Sequence, residues 1–74
     1  MNPRLQKLIK KHNKTWRNKP ETYWFQRLVC EVGELGGSLA GEHKHLPDWE
    51  LTQIAAICIN WLKMREEREE EEKT

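Results

Sequence analysis

The stretch WFQRLVCEVGELGGSLAG, residues 24–41, decides the fold. Trp24, Leu28, Val32 or Leu35, and Leu39 recur at steps of three and four, the period of one face of an α-helix. Pro20 stands just ahead, where a helix tolerates proline, so the helix is expected from about Pro20 to about Gly41. Gly33, Gly36, Gly37 and Gly41 oppose this locally, because each costs about 0.8–1.0 kcal/mol relative to Ala in a helix interior. They call for a reason: a second helix backbone passing close by, room for a bulky ligand, or a kink at Gly36 and Gly37.

The same punctuation repeats on either side. In PDWELTQIAAICINWL, residues 47–62, Pro47 opens a helix and Asp48 and Glu50 fall in its first turn, where the helix dipole favours acids. Leu51, Ile54, Ala55, Cys58, Trp61 and Leu62 follow at helical steps, and the helix is expected to run on into the Glu-rich tail. A loop of about five residues, Glu42 to Leu46, folds these two helices into an antiparallel hairpin. Ahead of them, Pro3 starts a shorter helix reaching about Thr15, with Leu5, Leu8, Ile9 and His12 on one side and lysines on the other. Nothing alternates with the period of a strand. The expected fold is all-α, a helical hairpin plus an N-terminal helix, with residues 1–64 as one helical domain and 65–74 as a charged helical extension.

At 74 residues and 36% hydrophobic, one chain has a small core, since a monomer of this size buries only roughly 60% of the surface its unfolded chain exposes. Assembly into a four-helix-type bundle, as a homodimer or homotetramer, is therefore expected. No apolar run approaches the roughly 18 residues of a membrane span and no signal-peptide core precedes the first helix, so a soluble, cytoplasmic protein with no membrane partner is expected. Cys30 and Cys58 lie in apolar stretches without zinc-ligand spacing. They read as small buried hydrophobes in a reducing compartment, with a bridge between them as the alternative.

Charge is unevenly spread. Residues 1–27 hold eight basic groups against Glu21 alone, a balance of +7, which can attract phosphate. Lys7, Lys10, Lys11 and Lys14 form one basic helix face, read first as solvated, second as a nucleic-acid footprint, and third as an attractor of a triphosphate. Residues 28–64 hold five acids against Lys44 and Lys63, and the acids are patterned. Glu31 and Glu34 are three apart, so on a helix both can reach one ion; Glu50 and Gln53 repeat the spacing on the next helix. Both pairs border the hairpin seam. Three carboxylates and an amide oxygen converging there suit Mg²⁺, a hard cation that takes oxygen ligands and bridges to substrate phosphates, with Mn²⁺ as a substitute. Against this stands the ordinary fate of such pairs, a solvated helix face.

The runs Glu31-Val32-Gly33-Glu34-Leu35 and Glu50-Leu51-Thr52-Gln53-Ile54-Ala55-Ala56, joined through a short loop, resemble the E-x-x-E … E-x-x-D pattern of the MazG-like nucleotide pyrophosphohydrolases over about residues 24–62. The resemblance implies an all-α protein related to dimeric dUTPases. It also implies Mg²⁺-dependent hydrolysis of a nucleoside triphosphate to the monophosphate and pyrophosphate. Carried over position by position, it assigns Glu31, Glu34 and Glu50 to catalysis and metal binding. The family's final Asp falls on Gln53, which offers a neutral oxygen and leaves one negative charge missing. The shortness of the chain suits a minimal or phage-like member. A non-catalytic helical oligomeric module for protein or nucleic-acid association is the other reading, and Gln53 favours it.

Four candidates remain for substrate binding. Lys44, flanked by His43 and His45, follows the second helix, where its dipole favours cations; it could also approach a triphosphate over the acidic pair. Lys14 belongs to the basic face. Trp16, near a helix end, could stack on a nucleobase or anchor a loop. Asn60, two turns beyond Gln53, could bond a base or sugar, or another helix. Trp24 and Trp61 read as core, and Trp49 shares the alternatives of Trp16.

Overall fold

A computed structural model of the chain describes residues 2–41 and 46–73, with side chains described as far as Arg68. Among the described residues the chain is entirely helical, without a strand. Helix α1 spans Pro3–Trp16, α2 spans Glu21–Leu39 and α3 spans Pro47–Lys73. Each begins within one residue of the proline that predicts it. None is long and apolar enough to cross a membrane.

Local chemistry accounts for the ends. The Asn2 side chain accepts the Arg4 backbone N–H at 2.9 Å, satisfying one of the donors a helix start leaves open. At the far end of α2, Gly41 takes φ 75°, a left-handed conformation that costs a side-chain-bearing residue energy and ends the helix. The remaining glycines produce no break, because α2 is continuous through Gly33, Gly36 and Gly37. The expected loop, with Lys44, His43 and His45, lies outside the described residues except for Leu46.

Helices α2 and α3 form the antiparallel hairpin, and α1 packs along α3. Glu21, at the start of α2, accepts from the Trp61 indole N–H at 2.9 Å and from Arg65 of α3, closing one end of the hairpin. These two bonds hold the Glu21 carboxyl below its usual range, with the indole contributing most. Asn60 ties α1 to α3, its Nδ2 donating to the Ile9 carbonyl at 2.9 Å. The Arg4 guanidinium lies 3.9 Å from the centre of the Trp49 ring and fastens the other end of α1. Replacing Asn60→Ala is expected to lower stability by about 1–2 kcal/mol, read by urea unfolding, because it removes the bond between α1 and α3 and empties the space of a buried side chain.

The core is thin. Among the described residues the fully buried apolar side chains are Trp24, Ala56 and Ile57. Leu28 and Leu35 are half-buried, whereas Val32 and Leu39, on the same predicted stripe, are exposed. The stripe is wider than one neighbouring helix can cover. The cysteines depart from expectation for the same reason: Cys30 is exposed and Cys58 half-buried, both as free thiols.

Candidate functional site

The antiparallel hairpin sets the middle of α2 against the first turns of α3, and this brings the acids together. Glu31 is 6% exposed and Glu50 3% exposed, so both carboxyl groups are withdrawn from water despite belonging to residue types that almost never are. Glu34, one turn along α2, is exposed and acts on Glu31. Burial, followed by the charge and hydrogen bond of Glu34 and more weakly by the charge of Glu50, pushes the Glu31 carboxyl up to about 7. The Arg27 guanidinium, 3.6 Å from Glu31 and one turn earlier on α2, pulls in the opposite direction without prevailing. One oxygen of Glu50, Oε2, is buried with no hydrogen-bond partner.

The fourth predicted member is engaged elsewhere. Gln53 Oε1 accepts from Nε2–H of His12 at 3.0 Å, so its oxygen faces α1. His12 is buried and is held below the ordinary imidazole range, chiefly by burial, with Lys11 and Arg27 adding to the effect and the Gln53 bond opposing it. His12 also stacks on Trp16, with ring centres 3.9 Å apart and planes at 14°, and Trp16 meets Tyr23 and Trp24 edge-on at 5.5 and 5.3 Å. Arg27 lies 5.6 Å from the Trp16 ring centre. An aromatic wall thus stands beside the acids, linked to them through Arg27 and through His12 and Gln53.

Of the predicted site residues, Glu34 and, more weakly, Glu50 act on the buried Glu31. Trp16 belongs to the aromatic wall, with one ring face taken by His12. Asn60 is buried and keeps Oδ1 without a partner after its bond to Ile9. Lys14 is exposed, with Lys7, Lys10 and Lys11, on the face of α1 opposite His12. Arg27 and the His12 bond to Gln53 are additions to the sequence reading. The i, i+4 spacing of Arg27 and Glu31 is a signal that could have found the first; no local pattern announces the second.

Among the described residues, no three His, Cys, Asp or Glu side chains stand ready to close around a metal ion. Arg27 lies 3.6 Å from Glu31 and offers it a positive charge in place of a metal ion. Glu50 adds a buried carboxyl oxygen, Oε2, without a hydrogen-bond partner. Compared with known proteins, the chain matches no family model, no curated protein and no solved structure.

Proposed function

We propose that the chain is a Mg²⁺-dependent nucleoside triphosphate pyrophosphohydrolase, working as a homodimer or homotetramer and releasing nucleoside monophosphate and pyrophosphate. The observation that carries this reading is the unpartnered buried oxygen of Glu50 next to the Glu31 and Glu34 pair. A buried carboxyl group left in this way costs stability, and a cation held by Glu31, Glu34 and Glu50 would remove the cost. When bound, Mg²⁺ or Mn²⁺ neutralises phosphate charge and makes water a better nucleophile toward phosphorus.

The chain's own residues do the rest. Glu31, titrating near 7, gives up its proton close to neutrality, so ligand capture is coupled to proton release at this carboxyl. Arg27, between the acids and Trp16, supplies a positive charge at the edge of the site. The lysines of α1, Lys14 included, draw a polyanion by long-range attraction. Trp16 and Asn60 are the candidates for contact with the nucleoside, and Lys44, the remaining candidate, lies outside the described residues.

The test is release of pyrophosphate from the common ribo- and deoxynucleoside triphosphates, beside thermal melting with and without millimolar Mg²⁺ or Mn²⁺. Pyrophosphate release with metal-dependent stabilisation is expected, and the absence of both removes the proposal. The engagement of Gln53 by His12 favours a second reading, the non-catalytic association module, and Gln53→Asp separates the two. The variant is expected to bind Mn²⁺ about tenfold more tightly by titration calorimetry, a gain of about 1.4 kcal/mol, since it adds an anionic ligand one turn from Glu50. An unchanged titration with no hydrolysis by either protein would favour the module.

A further inference from the structure

Along the seam between α1 and α3 the fold sets like charges side by side. Lys10 of α1 and Lys63 of α3 line a cleft of about 350 Å³ with Gln6, Ile9 and Asn13, and among the described residues no acid lines it. Farther along both helices, Arg17 and Arg68 line a second cleft of about 210 Å³ with Asn18, Met64 and Glu67. Each cleft thus takes one cation from either side of the seam and at least one side-chain amide. From Pro47 to Met64, Lys63 is the only base on α3, and it stands against the basic helix. Among the described residues the ion pairs are Arg27 with Glu31 and Arg65 with Glu21, so Lys10, Lys63, Arg17 and Arg68 are unpaired.

We propose that this seam is a docking surface for the phosphate backbone of a nucleic-acid duplex, held without regard to base sequence. Spacing is the first support. From Lys10 to Arg17 is seven residues, about 10 Å along α1, and from Lys63 to Arg68 five residues, about 7.5 Å along α3. One strand of a duplex carries a phosphate about every 3.4 Å of its axis, so the two cation pairs meet phosphates two or three steps apart. Donor chemistry is the second. Lys, Arg and the amides of Asn and Gln are the side chains that hold phosphate oxygens at protein–DNA contacts.

The surroundings argue against other polyanions. A lipid surface takes an apolar helix face beneath a basic one, whereas Leu5, Leu8 and Ile9 of α1 are half-buried against the rest of the chain. A protein partner takes an apolar centre, and Ile9 and Met64 alone supply apolar lining to the clefts. A single strand is held by rings on which its bases stack, and no aromatic residue lines either cleft. The whole chain carries only +1, so segregation of charge, not an excess of it, makes the surface. Lys63 lies 13 residues beyond Glu50, about 20 Å along α3, and the inference stands whether or not the acids take a metal.

Fluorescence anisotropy of a labelled duplex of mixed sequence, in chelator, tests it. With four phosphates neutralised, affinity is expected to fall roughly 100-fold between about 50 and about 200 mM salt, and to change little with duplex sequence. Lys10→Gln with Lys63→Gln is expected to bind roughly tenfold more weakly at the lower salt, with a salt slope shallower by about two. Lys7→Gln with Lys11→Gln removes the same charge from the outer side of α1 and is expected to cost about threefold or less. Circular dichroism checks that both double variants keep their helix content. Equal losses in the two would show attraction by net charge alone and overturn the proposal. So would tighter binding of a single strand of equal length, displacement of the duplex by polyglutamate or anionic vesicles at equal charge concentration, or no binding at the lower salt.

Discussion

Glu50→Leu is expected to raise the melting temperature of the metal-free protein and to remove its response to Mg²⁺. These effects have opposite signs for one reason. The Glu50 carboxyl is 3% exposed and its Oε2 has no partner, so a leucine of similar size relieves an unsatisfied polar group and a like-charge neighbour of Glu31. The gain should be about 1–3 kcal/mol, or roughly 4–8 °C in melting temperature per kcal/mol for a domain of this size. The same change deletes the one carboxylate that α3 contributes, so pyrophosphate release should fall by roughly 100-fold or more. Thermal melting in chelator and in Mg²⁺ reads both. A variant that melts below the wild type in chelator would show that the carboxyl supports the fold rather than a ligand.

Stability should also fall as pH rises, in the reverse sense to most paired carboxylates. Glu31 titrates near 7 in the folded chain against 4.5 for an unperturbed Glu, so between those values the folded state holds a proton that the unfolded state has released. Its contribution is complete below about 4.5 and is lost as pH passes through about 7. At 1.36 kcal/mol per unit, reduced for solvent screening around exposed Glu34, the loss is about 1–2 kcal/mol. His12 works the other way: its lowered pKa means that stability falls as acid protonates it, below its usual 6.5. Urea unfolding in chelator between pH 4 and pH 8 should therefore show a decline from about 4.5 to about 7 that Glu31→Gln abolishes and that Mg²⁺ in place of chelator reverses. Identical profiles of wild type and Glu31→Gln between about 4.5 and about 7 would remove Glu31 as the source.

Three prolines and the apolar periodicity made the helices legible, and the i, i+3 spacing placed Glu34 beside Glu31 on α2, with Glu50 reaching their neighbourhood from α3. Gln53 shows where such reasoning ends. Its partner, His12, is 41 residues away on a helix whose direction against α3 no local pattern specifies. Periodicity gives the angle at which a side chain leaves its helix, but it does not say how much of an apolar arc the other helices of the same chain will cover. Val32, Leu39 and Cys30 are exposed for that reason, although each falls in a stretch that reads as apolar.

The attachment of α1 has a kinetic meaning. The hairpin closes over short loops, with Glu31 and Glu50 separated by 19 residues, whereas the contacts that fix α1 to α3 bridge 41 residues at His12 and 51 at Asn60. Closing the longer loops costs more chain entropy and is rewarded by two side-chain hydrogen bonds and an exposed cation over Trp49. The hairpin is therefore expected to form before α1 docks, and amide exchange is expected to show weaker protection in α1 than around Trp24 and Ile57. Detachment of α1 releases Gln53 from His12. An opening of α1 would thus free a further oxygen on α3 one turn from Glu50, so that metal binding and the docking of α1 are expected to be coupled.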